Sequence, residues 1–288
     1  MRRTAHPLLV LAWALALAAM PAAATSPRVV SLNPSLTAIL LALDARETLV
    51  GIDSFSHRQH PELADLADVG GLFDPGLETI VALRPDVVVL VPSEEQRPLR
   101  ERLEALGVRV VAFENIRFAD VLANIEGLGR LVGRAAAARA RVAAIVAERE
   151  RVERAAAARP RVDCVVVLQR DPLYVVGAGS FLDEMLAAAG CENRGRELGE
   201  AYPRAGLEWL VDRAPEVLLD MSPDAAGEGD VRHYWQRWPT LPAVRRERVL
   251  FVAPQLVTMP GPYLDEALRR LDRALRSAAA SPDGGESR

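Results

Sequence analysis

Short runs of Val, Ile and Leu punctuate the chain, and between them apolar residues recur at helical spacing. Arg28-Val29-Val30-Ser31-Leu32 predicts a strand, and residues 34–43 predict a helix entered through Asn33 and Pro34. Leu49-Val50-Gly51-Ile52, Asp86-Val87-Val88-Val89-Leu90-Val91 and residues 108–113 predict further strands, with a helix over 97–106 closed by Gly107. Near-continuous apolar strands separated by helices are the pattern of a parallel sheet covered on both faces. From 119 to 158 the pattern changes to Ala, Arg, Val and Glu, with Val142, Ile145 and Val146 at helical spacing. That stretch predicts one long helix of about 20–25 residues, or roughly 30–40 Å, ending at Pro160. Its Glu148-Arg149-Glu150-Arg151 run reads as a solvated face. Strands are then expected over 162–168, 217–219 and 249–252, with helices over 180–189 and 263–276.

One pattern occurs twice. Gly76-Leu77-Glu78, an apolar pair and Pro85-Asp86-Val87-Val88 reappear as Gly206-Leu207-Glu208, another apolar pair and Pro215-Glu216-Val217-Leu218. A repeat at this distance means a whole lobe built twice. The fold class is therefore α/β: two Rossmann-like lobes with central parallel sheets, joined by a single long α-helix. The boundaries read from the pattern are a leader over 1–24, an N-terminal lobe over 25–118, a linker helix region over 119–159, a C-terminal lobe over 160–276 and a tail over 277–288 disordered by composition. A helical link is stiff, so a cleft between such lobes is largely pre-formed.

The N-terminus sets the compartment. Arg2 and Arg3 precede an apolar run over 7–20 and then Pro21-Ala22-Ala23-Ala24. This is a basic region, an apolar core and a small-residue cleavage site, and the run is shorter than the ~20 residues a membrane span needs. No Cys stands at the cleavage site, so the expectation is a protein exported to the periplasm, released after about Ala24 and not lipid-anchored. The formal charge is −4, and removing Arg2 and Arg3 leaves −6. A mildly acidic chain with no basic block argues against nucleic-acid binding. Every cation among the 35 Lys and Arg residues is Arg, which with so much Ala reads as compositional bias. The only cysteines are Cys164 and Cys191. In an oxidising compartment they form either a bridge or two buried thiols, and the sequence leaves both open.

Four stretches resemble one family. Val30-Ser31-Leu32-Asn33-Pro34-Ser35-Leu36-Thr37 is similar to its opening strand and turn. Asp68-Val69-Gly70-Gly71, followed by Gly76-Leu77-Glu78 and Arg84-Pro85-Asp86, resembles its central signature. Residues 190–193 with Tyr202-Pro203 and Leu207-Glu208 match the second-lobe counterpart, and Pro260-Gly261-Pro262 precedes the last helix. On these motifs the chain resembles the class III substrate-binding proteins of ABC importers for vitamin B12, haem and ferric siderophores, nearest the B12 branch. Ala38 departs from the pattern, which often has Glu there. The resemblance implies a monomer that captures a large metal chelate and delivers it to a permease dimer at the inner membrane. Glu78 and Glu208 would then dock on the two permease subunits. The bland alternative is that each carboxylate merely complements the dipole of its helix.

Ligands of doubly wound sheets bind beyond the carboxyl ends of the strands. Among the predicted loops there, the ligand-binding candidates are Pro34, Ser35, Phe55, His57, Phe73, Tyr174, Tyr202 and Met259. Aromatic rings suit a large flat ligand, and the alternative for Phe55 and Phe73 is ordinary core packing. Cobalamin leads. Haem comes second, with Tyr202 or His57 as axial ligand, and then a ferric siderophore, with Arg58, Arg170 or Arg204 meeting its charge. His57 and His60, three apart, lack the further ligands a protein metal site needs, so no metal site and no cofactor is expected. Gly177-Ala178-Gly179 lacks the third glycine of a dinucleotide fingerprint and reads as a turn. No catalytic constellation appears, and the reading from another class is an exported two-lobed enzyme or metal-inserting protein.

Overall fold

The computed structural model describes residues 26–280. The predicted leader lies outside the described residues, as does the tail from 281 on. In the N-terminal lobe β1 (Val29–Ser31) is followed by Asn33, which caps α1 (Pro34–Ala42). Next come β2 (Leu49–Ile52), α2 (Ser54–Gln59), β3 (Ala67–Asp68), α3 (Leu77–Ala82), β4 (Val87–Leu90), α4 (Arg97–Ala105) and β5 (Val110–Ala112). The strands form one parallel sheet in the order β3-β2-β1-β4-β5. The β1 and β4 strands are buried along their whole length, which is why they read as uninterrupted apolar runs.

The stretch over 119–158 holds the expected long helix, the 23-residue α6 (Ala135–Ala157), and before it a second, α5 (Phe118–Leu131), that the sequence pattern does not separate from it. The break falls at Gly133, whose φ of +73 a continuing helix cannot hold. The α5 and α6 helices then lie close, because a Cβ on Gly129 would sit only 2.4 Å from that of Ala138. A stretch rich in Ala carries no apolar periodicity sharp enough to mark such a corner.

The C-terminal lobe runs β6 (Val162–Gln169), β7 (Tyr174–Val175), α7 (Phe181–Ala188), β8 (Cys191–Asn193), α8 (Leu207–Arg213), β9 (Val217–Asp220), α9 (Glu228–Trp235), α10 (Pro242–Arg245), β10 (Val249–Phe251), α11 (Pro254–Val257) and α12 (Leu264–Ala280). Its sheet order is β10-β9-β6-β7, with β8 also on β6. The β7 strand is antiparallel to the far end of β6, and β8 is parallel to its near end. Two short strands thus divide the edge that β2 alone occupies beside β1, and the expectation of a parallel sheet fails at β7. Cys164 and Cys191 form a disulfide, which ties β6 to β8 and decides between the two readings of these residues.

The α12 helix continues to Ala280, so residues 277–280 are helical where a disordered tail was expected. Its Leu268, Leu271 and Leu275 are fully buried, in the same core as Ile145 and Val152 of α6. Arg141 pairs with Asp265, and Arg151 lies 3.6 Å from Asp272, so α12 is laced to α6 by charge as well as by packing.

Candidate functional site

The site is built from the segments just beyond the strands. After β1 the Asn33 carboxamide accepts from the Ser35 amide at 3.0 Å and the Ser35 hydroxyl at 2.7 Å. Ser35 is buried and its hydroxyl serves the helix cap, while Pro34 is half-buried at the first helical position. Gly261 of the C-terminal lobe comes against this turn, since a Cβ there would lie 4.0 Å from the Ser35 carbonyl oxygen. Beside that contact a cavity of about 300 Å³ opens between the lobes, lined by Ala38, His60, Leu256, Met259 and Tyr263 among others. Met259 is thus placed at the seam, together with Ala38, the position where the family pattern is broken.

After β2, Asp53 caps α2 by accepting from the amides of Phe55 at 2.9 Å and Ser56 at 3.0 Å. Phe55 is exposed, with the Arg58 guanidinium 4.4 Å from its ring centre. The His57 Nε2 lies 3.3 Å from the Leu66 carbonyl, and the His60 Nδ1 lies 3.0 Å from the Glu62 carboxylate. The two imidazoles therefore serve different partners, and no cluster of three or more metal-ligating side chains exists among the described residues. Phe73 is 71% exposed on the turn that comes after β3, too open to be core packing.

In the C-terminal lobe Tyr174 is half-buried in β7 and bridges Arg204 through the backbone. Tyr202 keeps 40% of its surface exposed. Desolvation is still the largest influence on its hydroxyl and raises its pKa, opposed by a hydrogen bond with Ser180. The side chain is a neutral phenol that can donate a hydrogen bond.

The end of β6 holds a network that the sequence did not make plain. Arg170 is buried, its Nε donating to Asp220 at 2.9 Å and its Nη1 to Asp230 at 3.0 Å. The indole of Trp235 donates to the same Asp220 carboxylate at 2.7 Å, and the Ser222 amide to its other oxygen at 2.9 Å. Burial alone would depress the Arg170 guanidinium; the two carboxylates more than reverse that, and its pKa is raised. Of Arg58, Arg170 and Arg204, the residues the sequence offers to a siderophore's charge, Arg170 is anchored to its own lobe. The available signal was Asp220, an acid that ends the apolar strand Val217-Leu218-Leu219.

Glu78 and Glu208 stand in the first turns of α3 and α8, each behind a glycine cap that offers no side-chain hydrogen bond. Both are exposed, and neither has an ion-pair or hydrogen-bond partner for its carboxylate among the described residues. Leu207 and Val211 are exposed beside Glu208.

Comparison with known proteins gives a consistent picture. A family model described as "Periplasmic binding protein" matches residues 29–256. The vitamin B12-binding protein of Vibrio campbellii is 25% identical over 240 residues, which is 81% of this chain and 83% of that protein. The fold matches periplasmic vitamin B12 binding protein BtuF of Vibrio cholerae with a TM-score of 0.76 at 19% identity, covering 88% of this chain and 98% of that one. A periplasmic heme binding protein from Pseudomonas aeruginosa matches with a TM-score of 0.74 at 27% identity, covering 88% and 94%.

Proposed function

The chain belongs to the periplasmic binding protein family, and from that premise we propose that it captures a metal chelate, cobalamin first, between its lobes and hands it to an ABC permease. One observation carries this reading. Glu78 and Glu208 occupy the same place in a duplicated unit, and both are exposed and unpaired among the described residues. A monomer with two like lobes meets a two-fold permease dimer in this way, one carboxylate to each subunit. The exposure of both carboxylates, each without a partner among the described residues, weighs against an enzyme, which needs ionisable groups converging on the cleft.

The cargo would lie across the strand ends. Pro34, Ser35, Phe55, His57 and Phe73 would serve it from one lobe and Tyr174, Tyr202 and Met259 from the other. Exposed rings give a flat macrocycle apolar area, and the neutral Tyr202 phenol gives it a hydrogen-bond donor. The chelate is cargo, not a resident cofactor. The protein would work in the periplasm as a monomer, freed of its leader and without a lipid anchor. The relatedness to a heme binding protein supports haem as the second cargo. In that case the iron would have to displace a proton that desolvation holds on Tyr202.

The test is calorimetric titration of the mature protein, from Thr25 on, with cyanocobalamin, haem and a ferric siderophore. One-to-one binding of cyanocobalamin alone is expected. Binding of haem or siderophore instead would change the cargo, and no binding of any would overturn the transport reading. A Glu78→Ala, Glu208→Ala double variant should bind cargo normally and fail to support uptake; normal uptake would sink the docking assignment.

A further inference from the structure

The hairpin after β6 covers a hollow of about 400 Å³ on the C-terminal lobe, walled by Arg170, Arg204, Tyr234, Arg237 and Trp238 among others. Three arginines line it, and among the described residues the only acid in its wall is Asp171.

The charge of the three is unevenly neutralised. Arg170 is balanced by Asp220 and Asp230, yet its Nη2 is buried with no hydrogen-bond partner among the described residues. Buried donors are nearly always paired, so an orphaned guanidinium nitrogen in the wall of a hollow marks a place where an acceptor is missing. Arg237 is held without a carboxylate among the described residues. It lies 4.1 Å from the centre of the Tyr234 ring and 4.7 Å from that of Trp238, and its Nε donates to the Tyr234 carbonyl at 3.0 Å. Ring faces and a carbonyl fix the side chain while leaving its positive charge uncancelled. Arg170 packs on the same Tyr234 ring at 4.4 Å. Arg204 is exposed, and its guanidinium has no partner among the described residues.

We propose that this hollow is an oxyanion site that takes a phosphate or carboxylate group. Guanidinium forks match such groups with two parallel hydrogen bonds. Here one fork is fixed by acids, the second is fixed by aromatic rings, and Arg204 supplies a free third that can close over the anion. The hollow shares no lining residue with the cavity at the Ser35 and Gly261 seam. The oxyanion comes either free, as inorganic phosphate, or as an acidic arm of the cargo.

The test uses the mature protein and sodium phosphate, against sodium chloride at equal ionic strength, read by thermal shift and calorimetry. Wild type should show saturable stabilisation by phosphate. Arg204→Ala and Arg237→Ala should each lose about tenfold or more in phosphate affinity, while Arg232→Ala on the neighbouring surface should not. Both test variants leave the Arg170 network whole, and circular dichroism checks that they fold. No saturable phosphate effect, or an equal effect in all four proteins, would overturn the site. Cyanocobalamin, a phosphodiester, separates the sources: competition with phosphate assigns the cargo's arm, and independent binding assigns the free anion.

Discussion

The two lobes repeat their turns faithfully and their strand ends not at all. In each, a helix that begins Gly-Leu-Glu stops at a residue in the left-handed region, Arg84 at φ +47 and Ala214 at φ +45, immediately before a proline. A residue before proline is pushed out of the right-handed helical region, and proline cannot continue a helix. The same sequence grammar has produced the same uncommon backbone twice. Fourteen residues after each opening glycine the lobes part. Leu90 ends β4 in an apolar cluster, whereas Asp220 ends β9 in a buried ion pair with Arg170. The duplicated unit keeps its opening helix and its stop, while the strand end is free to differ.

The largest effect that could break this comparison is at Asp220. Replacing it with Ala leaves the Arg170 guanidinium and the Trp235 indole without their buried acceptor. It should cost about 3–5 kcal/mol in denaturant unfolding. Copying the other lobe with Arg170→Met and Asp220→Leu together should recover most of that loss. A single-variant cost below about 1 kcal/mol would mean that the pair does not hold the lobe.

The disulfide comes next, because it belongs to one lobe only. Cys164→Ser with Cys191→Ser opens a link across a sequence separation of 27, worth about 3–4 kcal/mol on the chain-entropy account. Hydrogen exchange should quicken in β6 and β8 and stay unchanged in β1 and β4. Equal loss in both lobes would show instead that the shared core through α5, α6 and α12 makes them one cooperative unit.

The smallest effect is the one that should be the same twice. Glu78→Ala and Glu208→Ala should each cost about 0.3–1 kcal/mol, the value of a carboxylate at a helix N-terminus. A clear inequality in thermal unfolding would show that one of them has a structural duty the other lacks.

Buried strands and the repeat were legible in the sequence because both leave local marks: apolar runs for β1, β4 and β6, and a recurring Gly-Leu-Glu with its proline for α3 and α8. The corner at Gly133 was not, since Ala-rich helices on either side look alike to a periodicity. The two-residue β7 was hidden for a related reason. Its pairing is set by the turn after Arg170, not by a pattern of its own. The candidate site divided in the same manner. The positions of Pro34, Tyr202 and Met259 came from strand ends and loops, while the hydroxyl of Ser35 and the rings of His57 and His60 turned out to serve neighbours in their own lobe. Arg170 shows the limit most plainly: sequence displays the cation, and only the fold reveals that Asp220, Asp230 and Tyr234 converge on it from two other elements.

The return of α12 along α6 has a consequence for traffic. Two packed helices brace the seam between the lobes, so the span from Glu78 to Glu208 should change little with what the cleft contains. Under the docking proposed above, a receptor that gauges only that span would meet empty and loaded carriers on equal terms. Empty carriers would then queue for the same berth, and beyond one carrier per cargo molecule, making more of this protein would slow uptake, not quicken it.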